Sequence, residues 1–140
     1  MANFLKFSIV TPDQVVYEDE ISQATIPTKV GEITVLANHT PLVSTLSYGE
    51  LRIKKSSGEE VGFAVSQGVI EVRPGSELIV LTNFALHARE IDIAEAEKAR
   101  ARAEEILKDE EALSKEDFAH FETSLMREIA KIKTGRRWLK

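Results

Sequence analysis

The feature that most constrains the fold is a change of apolar period between Leu86 and Ile91. Before it, apolar residues come in short alternating or continuous runs broken by Gly and Pro. Beyond it there is no Pro, no Gly before Gly135, and the chain turns Ala-rich and charged with helical spacing. Period two punctuated by turn formers predicts strands, and period 3.6 without breakers predicts helices. The expected fold is an antiparallel β-sandwich, flattened like a barrel, over residues 1–86, with a C-terminal antiparallel αα-hairpin over residues 87–140. A β unit of that size can just bury its own core, whereas the hairpin needs the β unit or a partner. Such a chain is built to hold partners and move a helical arm.

Strand by strand, Phe4–Thr11 alternates and Pro12-Asp13 turns it. Val15–Tyr17 and Ile21–Ile26 form one bent strand ending at Pro27. Val30-Gly31-Glu32 is a tight turn into Ile33–Ala37, and Asn38–Pro41 is a second. Leu51 and Ile53 alternate towards a hairpin tip at Ser56–Glu59, and Val61, Phe63 and Val65 alternate on the return. Gly68 breaks the run before Val69–Val72, and Pro74-Gly75-Ser76 closes a hairpin into Leu78–Leu81. The unbroken Leu78-Ile79-Val80-Leu81 predicts burial on both faces, one of them against the helices.

Asp92, three residues before Glu95, is a helix-start signal, and so is Ser114 before Asp117. Ala96, Ala99, Ala103 and Ile106 make a narrow seam of small side chains on the first helix, which admits a close neighbour. Phe118, Phe121, Leu125, Ile129 and Ile132 step along one face of the second, and Gly135 is placed as its stop.

Composition narrows function by exclusion. There is no Cys, hence no disulfide framework and no thiolate metal site. The net charge of −5 argues against nucleic acid and anionic membrane as partners. No apolar run approaches the ~20 residues of a bilayer span, and the start MANFLKFSIV does not read as a signal or transit peptide. A soluble protein of a reducing compartment is expected. His39, His87 and His120 stand apart, none at ligand spacing, and no nucleophile elbow, HExxH or phosphate-cradling loop occurs. Catalytic and metal-binding residues are expected to be absent. Charge divides the arm. Residues 89–122 hold 6 Lys/Arg against 12 Asp/Glu, and residues 123–140 hold 6 against 1. Two readings of that division stand, solvated helix faces and a basic tip meeting an acidic partner.

Three stretches in register resemble one family: Val10-Thr11-Pro12 with Val16-Tyr17, Gly31–Leu42 (GEITVLANHTPL) and Phe63–Val72 (FAVSQGVIEV). They are similar to the VxTPxxxxY, GExGILPGHAPL and FxVSGGFVEV patterns of the epsilon subunit of bacterial and chloroplast F-type ATP synthases. The resemblance covers essentially the whole chain. It implies a non-catalytic subunit of the rotating central stalk that couples gamma to the c-ring and restrains ATP hydrolysis through its hairpin. The implied partners are gamma, the c-ring and the alpha/beta catalytic subunits. The implied location is peripheral, on the cytoplasmic face of the bacterial inner membrane, with membrane contact only through the c-ring. From the residues alone, the alternative is a stand-alone β-sandwich binding module with a helical oligomerisation hairpin.

The resemblance also assigns residues. Val30, Gly31, Glu32, Asn38 and His39 belong to its c-ring-facing turns, with turn-fixing as the equal alternative for His39. Two glycines and a proline of the family pattern are lost here, and Asn38 stands where a left-handed backbone is needed. Arg127, Lys131, Lys133, Arg136 and Arg137 make the basic tip expected to inhibit. Members that bind ATP resemble I/L-D-x-x-R-A, which here runs Ile91-Asp92-Ile93-Ala94-Glu95-Ala96. Ile91 and Asp92 carry over to that nucleotide site, but Glu95 replaces the arginine that meets phosphate. No cofactor is expected, and ATP binding should be weak.

Overall fold

A computed structural model describes residues 3–139. It contains nine strands: β1 (Leu5–Val10), β2 (Val15–Thr28), β3 (Gly31–Leu36), β4 (Leu42–Leu46), β5 (Gly49–Lys55), β6 (Glu60–Val65), β7 (Gly68–Arg73), β8 (Glu77–Thr82) and β9 (Ala85–His87). A 3-10 turn at Ala88–Glu90 leads to α1 (Ile93–Leu107), and a second at Glu110–Ala112 leads to α2 (Lys115–Trp138). Met1, Ala2 and Lys140, with the expected domain ends and the Lys140 charge, lie outside the described residues.

The strands form two packed layers because β2 belongs to both. Its first half pairs with β1 through Leu5↔Ile21 to Ile9↔Tyr17, and its second half runs between β3 and β5. A register irregularity at Ile21–Gln23 marks the crossing, as bulges do where a strand bends between sheets. One layer is thus β4-β7-β8-β1-β2 and the other β3-β2-β5-β6-β9. The sheet is not closed. All pairings are antiparallel except β1 with β8, which run parallel from Lys6↔Glu77 to Val10↔Leu81. Alternation of side chains across a pleated strand turns one apolar set from each strand inward. Leu5, Phe7 and Ile9 meet Leu51, Ile53, Phe63, Val65, Ile70, Leu78 and Val80 in one continuous core.

The local signals act as read. Asp92 accepts from the Glu95 backbone N–H at 3.1 Å and Ser114 from that of Asp117 at 3.0 Å, so each helix begins on a side chain that satisfies a free donor. Asn38 adopts φ +64°, the left-handed conformation that its short polar side chain tolerates.

The structure corrects three expectations about packing. Leu78-Ile79-Val80-Leu81 is not buried on both faces: Leu78 and Val80 are, but Leu81 is 43% exposed. The strand covered on both sides is β6, where every residue from Val61 to Val65 is buried. Its small Gly62 and Ala64 are what let α2 lie close. Ile129 leaves the expected apolar stripe and faces solvent at 37% exposure, because the buried residues of α2 are Glu128, Ala130, Ile132, Thr134 and Gly135. Ile106 leaves that of α1 at 38% exposure, where the buried residues are Ala96 and Ala103. Gly135 does not stop α2, which runs three residues further to Trp138.

Candidate interaction surfaces

Where α2 meets the sandwich, the contact is organised around one buried carboxylate. The Glu50 side chain in β5 is 2% exposed, and a charge removed from water must recover its hydration from protein donors. Arg52 Nη1 donates to its Oε1 at 3.1 Å, Trp138 Nε1 donates to its Oε2 at 3.2 Å, and Arg137 Nε lies 3.5 Å from Oε1. Arg52 stands opposite Gly62 across the β5–β6 ladder. A Cβ at Gly62 would fall 2.2 Å from Trp138 Nε1, so only glycine leaves the indole its slot. Burial lowers the Arg52 pKa, but the hydrogen bond it donates to Glu50 and the charge of Glu32 outweigh this and hold the guanidinium above its ordinary value.

One turn earlier, Gly135 performs a similar service. A Cβ there would lie 2.7 Å from Ile93 Cγ1 and 3.2 Å from Ile91 Cγ2. Ile91 packs in turn with Ala64 and Ala130, flanked by Phe84, Leu86 and Ile93. The Arg127 guanidinium and Lys131 Nζ both lie over the Phe84 ring, 5.4 and 5.3 Å from its centroid, within cation–π range. Docking is nevertheless incomplete. Among the described residues, the Thr134 hydroxyl and Arg127 Nε are buried with no hydrogen-bond partner, and each such group costs about 1–3 kcal/mol.

These contacts disperse the expected basic tip. Arg127 and Lys131 lie on Phe84, and Lys131 also bonds Glu128 at 2.8 Å. Arg136 reaches across to Glu97 of α1 at 2.6 Å, and Arg137 turns to Glu50. Lys133 faces solvent. In this closed arrangement the five residues do not form a free cationic patch.

The two candidate ring-facing turns are likewise separated. Val30, Gly31 and Glu32 lie at the start of β3, where Val30 is 93% exposed and Glu32 reaches Arg52 Nη1 at 3.2 Å. Asn38 and His39 follow its other end. There the Asn38 N–H donates to Ser76 Oγ, and the His39 N–H donates to the Leu36 carbonyl at 3.2 Å. A strand of six residues spans about 17–20 Å, so the turns do not make one cluster. His39 Nδ1 lies 2.6 Å from the Thr40 carbonyl oxygen, an arrangement that fixes its turn.

Sequence reasoning missed one surface. On the outer face of the first layer, Val69 pairs with Leu81, and Leu81 with Val10. Val43, 70% exposed, continues this apolar strip on β4. Parity could have revealed it, since Leu78 and Val80 facing inward forces Ile79 and Leu81 outward.

The carried-over nucleotide residues have structural work in this arrangement. Ile91 is buried in the α2 cluster, Asp92 caps α1, and Glu95 lies 3.8 Å from Lys98. Beside them, Phe63 stacks edge-on with Tyr17 at 5.0 Å and with His87 at 5.2 Å between centroids. Burial, then the hydrogen bond to Asp19, pushes the Tyr17 pKa up to about 12. Burial, then the charge of Arg89, lowers that of His87 below its ordinary 6.5, while His87 Nδ1 accepts the Arg89 N–H. Because the folded state prefers the neutral ring, the unfolded chain binds the proton first as pH falls below about 6.5. Stability contributed by His87 is present above that pH and is lost on acidification. Urea unfolding at pH 7.5 and 5.5 should show a larger loss for the native chain than for His87→Gln; equal losses would remove His87 from the account.

The chain matches the ATP synthase delta/epsilon chain β-sandwich domain over residues 4–88 and the long α-helix domain of the same chain over residues 89–135. It belongs to the ATP synthase delta/epsilon family. Among epsilon chains, that of Alkalilimnicola ehrlichii is 36% identical over 130 residues, covering 93% of this chain and 91% of its own. That of Nitrosococcus oceani is 35% identical over 137 residues, covering 98% and 96%. The epsilon chain of Desulforudis audaxviator reaches 46% over 102 residues, 73% of each. A chain of the Euglena gracilis mitochondrial ATP synthase OSCP/F1/c-ring assembly superimposes with a TM-score of 0.74 over 90% of this chain and 78% of its own. At 22% identity that likeness speaks for the fold alone. This chain is an epsilon subunit of F-type ATP synthase, and its described surface includes an apolar sheet face, two exposed turns and a docked helix.

Proposed function

We propose that this epsilon subunit is a non-catalytic part of the central-stalk rotor, coupling gamma to the c-ring, and that its hairpin restrains ATP hydrolysis by leaving the sandwich. The observation that carries this reading is how the hairpin is held. The last turns of α2 meet β5 and β6, while α1 packs chiefly on α2, so one line of separable contacts keeps the arm closed. Apolar surface buried at home can be buried again along gamma, leaving a gap between states of only a few kcal/mol that a partner can bias. The strip of Val10, Val43, Val69 and Leu81 suits gamma, because exposed apolar patches mark protein interfaces. The Val30–Glu32 turn suits the c-ring. Among the described residues no helix is long and apolar enough to cross a membrane, which fits a subunit held peripherally by its partners at the cytoplasmic face. Released from Glu50, Glu97 and Phe84, the basic side chains would face acidic surface on the alpha/beta subunits. ATP is not the latch, since Asp92 is spent as a cap and Glu95 repels phosphate; micromolar affinity in a calorimetric titration would overturn that clause.

The test uses the assembled complex. Removing residues 123–140 is expected to raise ATP hydrolysis several-fold without blocking assembly. A cysteine at Glu32 is expected to crosslink to the c-ring. Unchanged hydrolysis would end the inhibitory reading, and absent crosslinking at Glu32 and its neighbours would end the coupling assignment.

A further inference from the structure

We propose that Glu50 is the latch of the closed hairpin and that Arg52 wires this latch to the Val30–Glu32 turn, so that engagement of Glu32 by a partner loosens the end of α2. The inference extends the rotor reading and depends on it only for the source of the trigger. The latch itself belongs to the isolated chain.

The geometry is a chain of shared charges. A single nitrogen, Arg52 Nη1, lies 3.2 Å from Glu32 Oε2 and 3.1 Å from Glu50 Oε1. Glu50 Oε1 also faces Arg137 Nε at 3.5 Å, and Glu50 Oε2 accepts the Trp138 indole N–H at 3.2 Å. Burial differs sharply along this route. The Glu32 side chain is 53% exposed, that of Arg52 26% and that of Glu50 2%. The outer member is therefore open to a partner, while the inner one has no water to fall back on. Two carboxylates compete for one guanidinium. When a partner's cation or N–H donor draws Glu32 away, Arg52 pairs wholly with Glu50. Glu50 then has less need of Arg137, and the hold on the helix end weakens. When Glu32 is free, Arg52 is divided and Glu50 holds Arg137 more strongly.

The slot at Gly62 makes the mechanism selective for this helix end. A Cβ there would overlap Trp138 Cε2 and Cδ1, at 2.5 and 2.7 Å, as well as Nε1. The indole thus occupies a socket whose floor is a missing side chain and whose wall is an acceptor. Neither contact is local, since Glu50 and Trp138 are 88 positions apart. Coupling between distant sites needs an element with two arrangements that both sites bias, and here it is the helix end, seated or withdrawn.

The chain carries its own reporter, because Trp138 is its one tryptophan. Acrylamide quenching of selectively excited Trp138 reads whether the indole is seated. Glu50→Gln is expected to raise the quenching constant about twofold or more and shift emission to the red, by raising the population of the withdrawn state. Arg137→Gln, at an exposed position that folding tolerates, is expected to do the same to a lesser degree. Glu32→Gln, which removes the competing charge as a partner would, is expected to give a smaller rise when Arg52 is present and none in an Arg52→Gln background. If Glu50→Gln and Arg137→Gln both leave Trp138 unchanged, Glu50 is no latch. If the Glu32→Gln effect is absent, or persists undiminished without Arg52, the wire is wrong. Failure of the Glu32 crosslink to the c-ring, with these quenching results intact, would refute the ring as trigger and leave the latch standing.

Discussion

Phe63→Ala is expected to destabilise the chain by about 3–5 kcal/mol, the usual cost of emptying a large buried aromatic site. Domains of this size are held by only about 5–15 kcal/mol, so the variant should lie near the edge of folding. Phe63 is fully buried and forms the middle of a run of rings. Phe7 meets Tyr17 at 6.0 Å, Tyr17 meets Phe63 at 5.0 Å, and Phe63 meets His87 at 5.2 Å between centroids. The first three rings belong to the sandwich core, and His87 ends the last strand before the helical segment. Its loss therefore opens a cavity at the point where the β domain hands over to the hairpin. Chemical denaturation followed by far-UV circular dichroism gives the magnitude. A loss below about 1.5 kcal/mol would mean that the neighbouring rings collapse into the space and that Phe63 is not the keystone of this corner.

Gly68→Ala is the second large expectation, at about 3 kcal/mol, the upper end of ordinary overpacking. The added Cβ would lie 2.0 Å from the Leu81 carbonyl oxygen and 3.0 Å from Thr82 Cα. Both are backbone atoms of β8, so no side chain can swing aside. Relief requires β7 and β8 to part at Gly68↔Thr82. That pair borders a buried knot in which Thr82 Oγ1 lies 2.9 Å from Ser66 Oγ and 3.1 Å from both the Ser66 and the Gln67 carbonyl oxygens. Opening the ladder strands these groups as well. Denaturant midpoints of Gly68→Ala and Gly62→Ala offer a sharp contrast. At Gly62 the obstructed atoms belong to the Trp138 side chain, which can leave, so that variant should release the helix end while largely sparing the sandwich. Equal and small effects at the two glycines would show that the β7–β8 ladder accommodates a methyl group.

Under the proposed function the hairpin has to leave the sandwich, and the contacts that hold it are weak enough to allow this. Arg136 holds it through an exposed ion pair with Glu97, and such pairs contribute about 0–1 kcal/mol. The apolar anchor at Ile91, Ala64 and Ala130 is small, and among the described residues the buried Thr134 hydroxyl has no hydrogen-bond partner. A helix end fastened by many weak contacts and one buried carboxylate can be biased by a modest change at any of them.

The sequence by itself determined whatever is settled within a few residues. The change of period placed the sandwich and the hairpin, Asp92 and Ser114 set the helix starts, and Asn38 took the left-handed turn. A cap or a turn is a bond between near neighbours, and its chemistry travels with the local sequence. Alternation also marked which side chains could point inward, but not which outward faces would be covered. Only the tertiary structure decided that β6, not β8, lies under a helix, that β1 runs parallel beside β8, and that β2 serves both layers. The same holds for Glu50, Gly62 and Gly135. In sequence they are an ordinary strand carboxylate, a gap in an alternating run and an apparent helix stop. Their roles come from Trp138, Arg137 and Ile93, which reach them from far along the chain. Close packing settles whether a missing Cβ is a slot or a break, and a buried charge keeps its place only where the fold delivers donors to it.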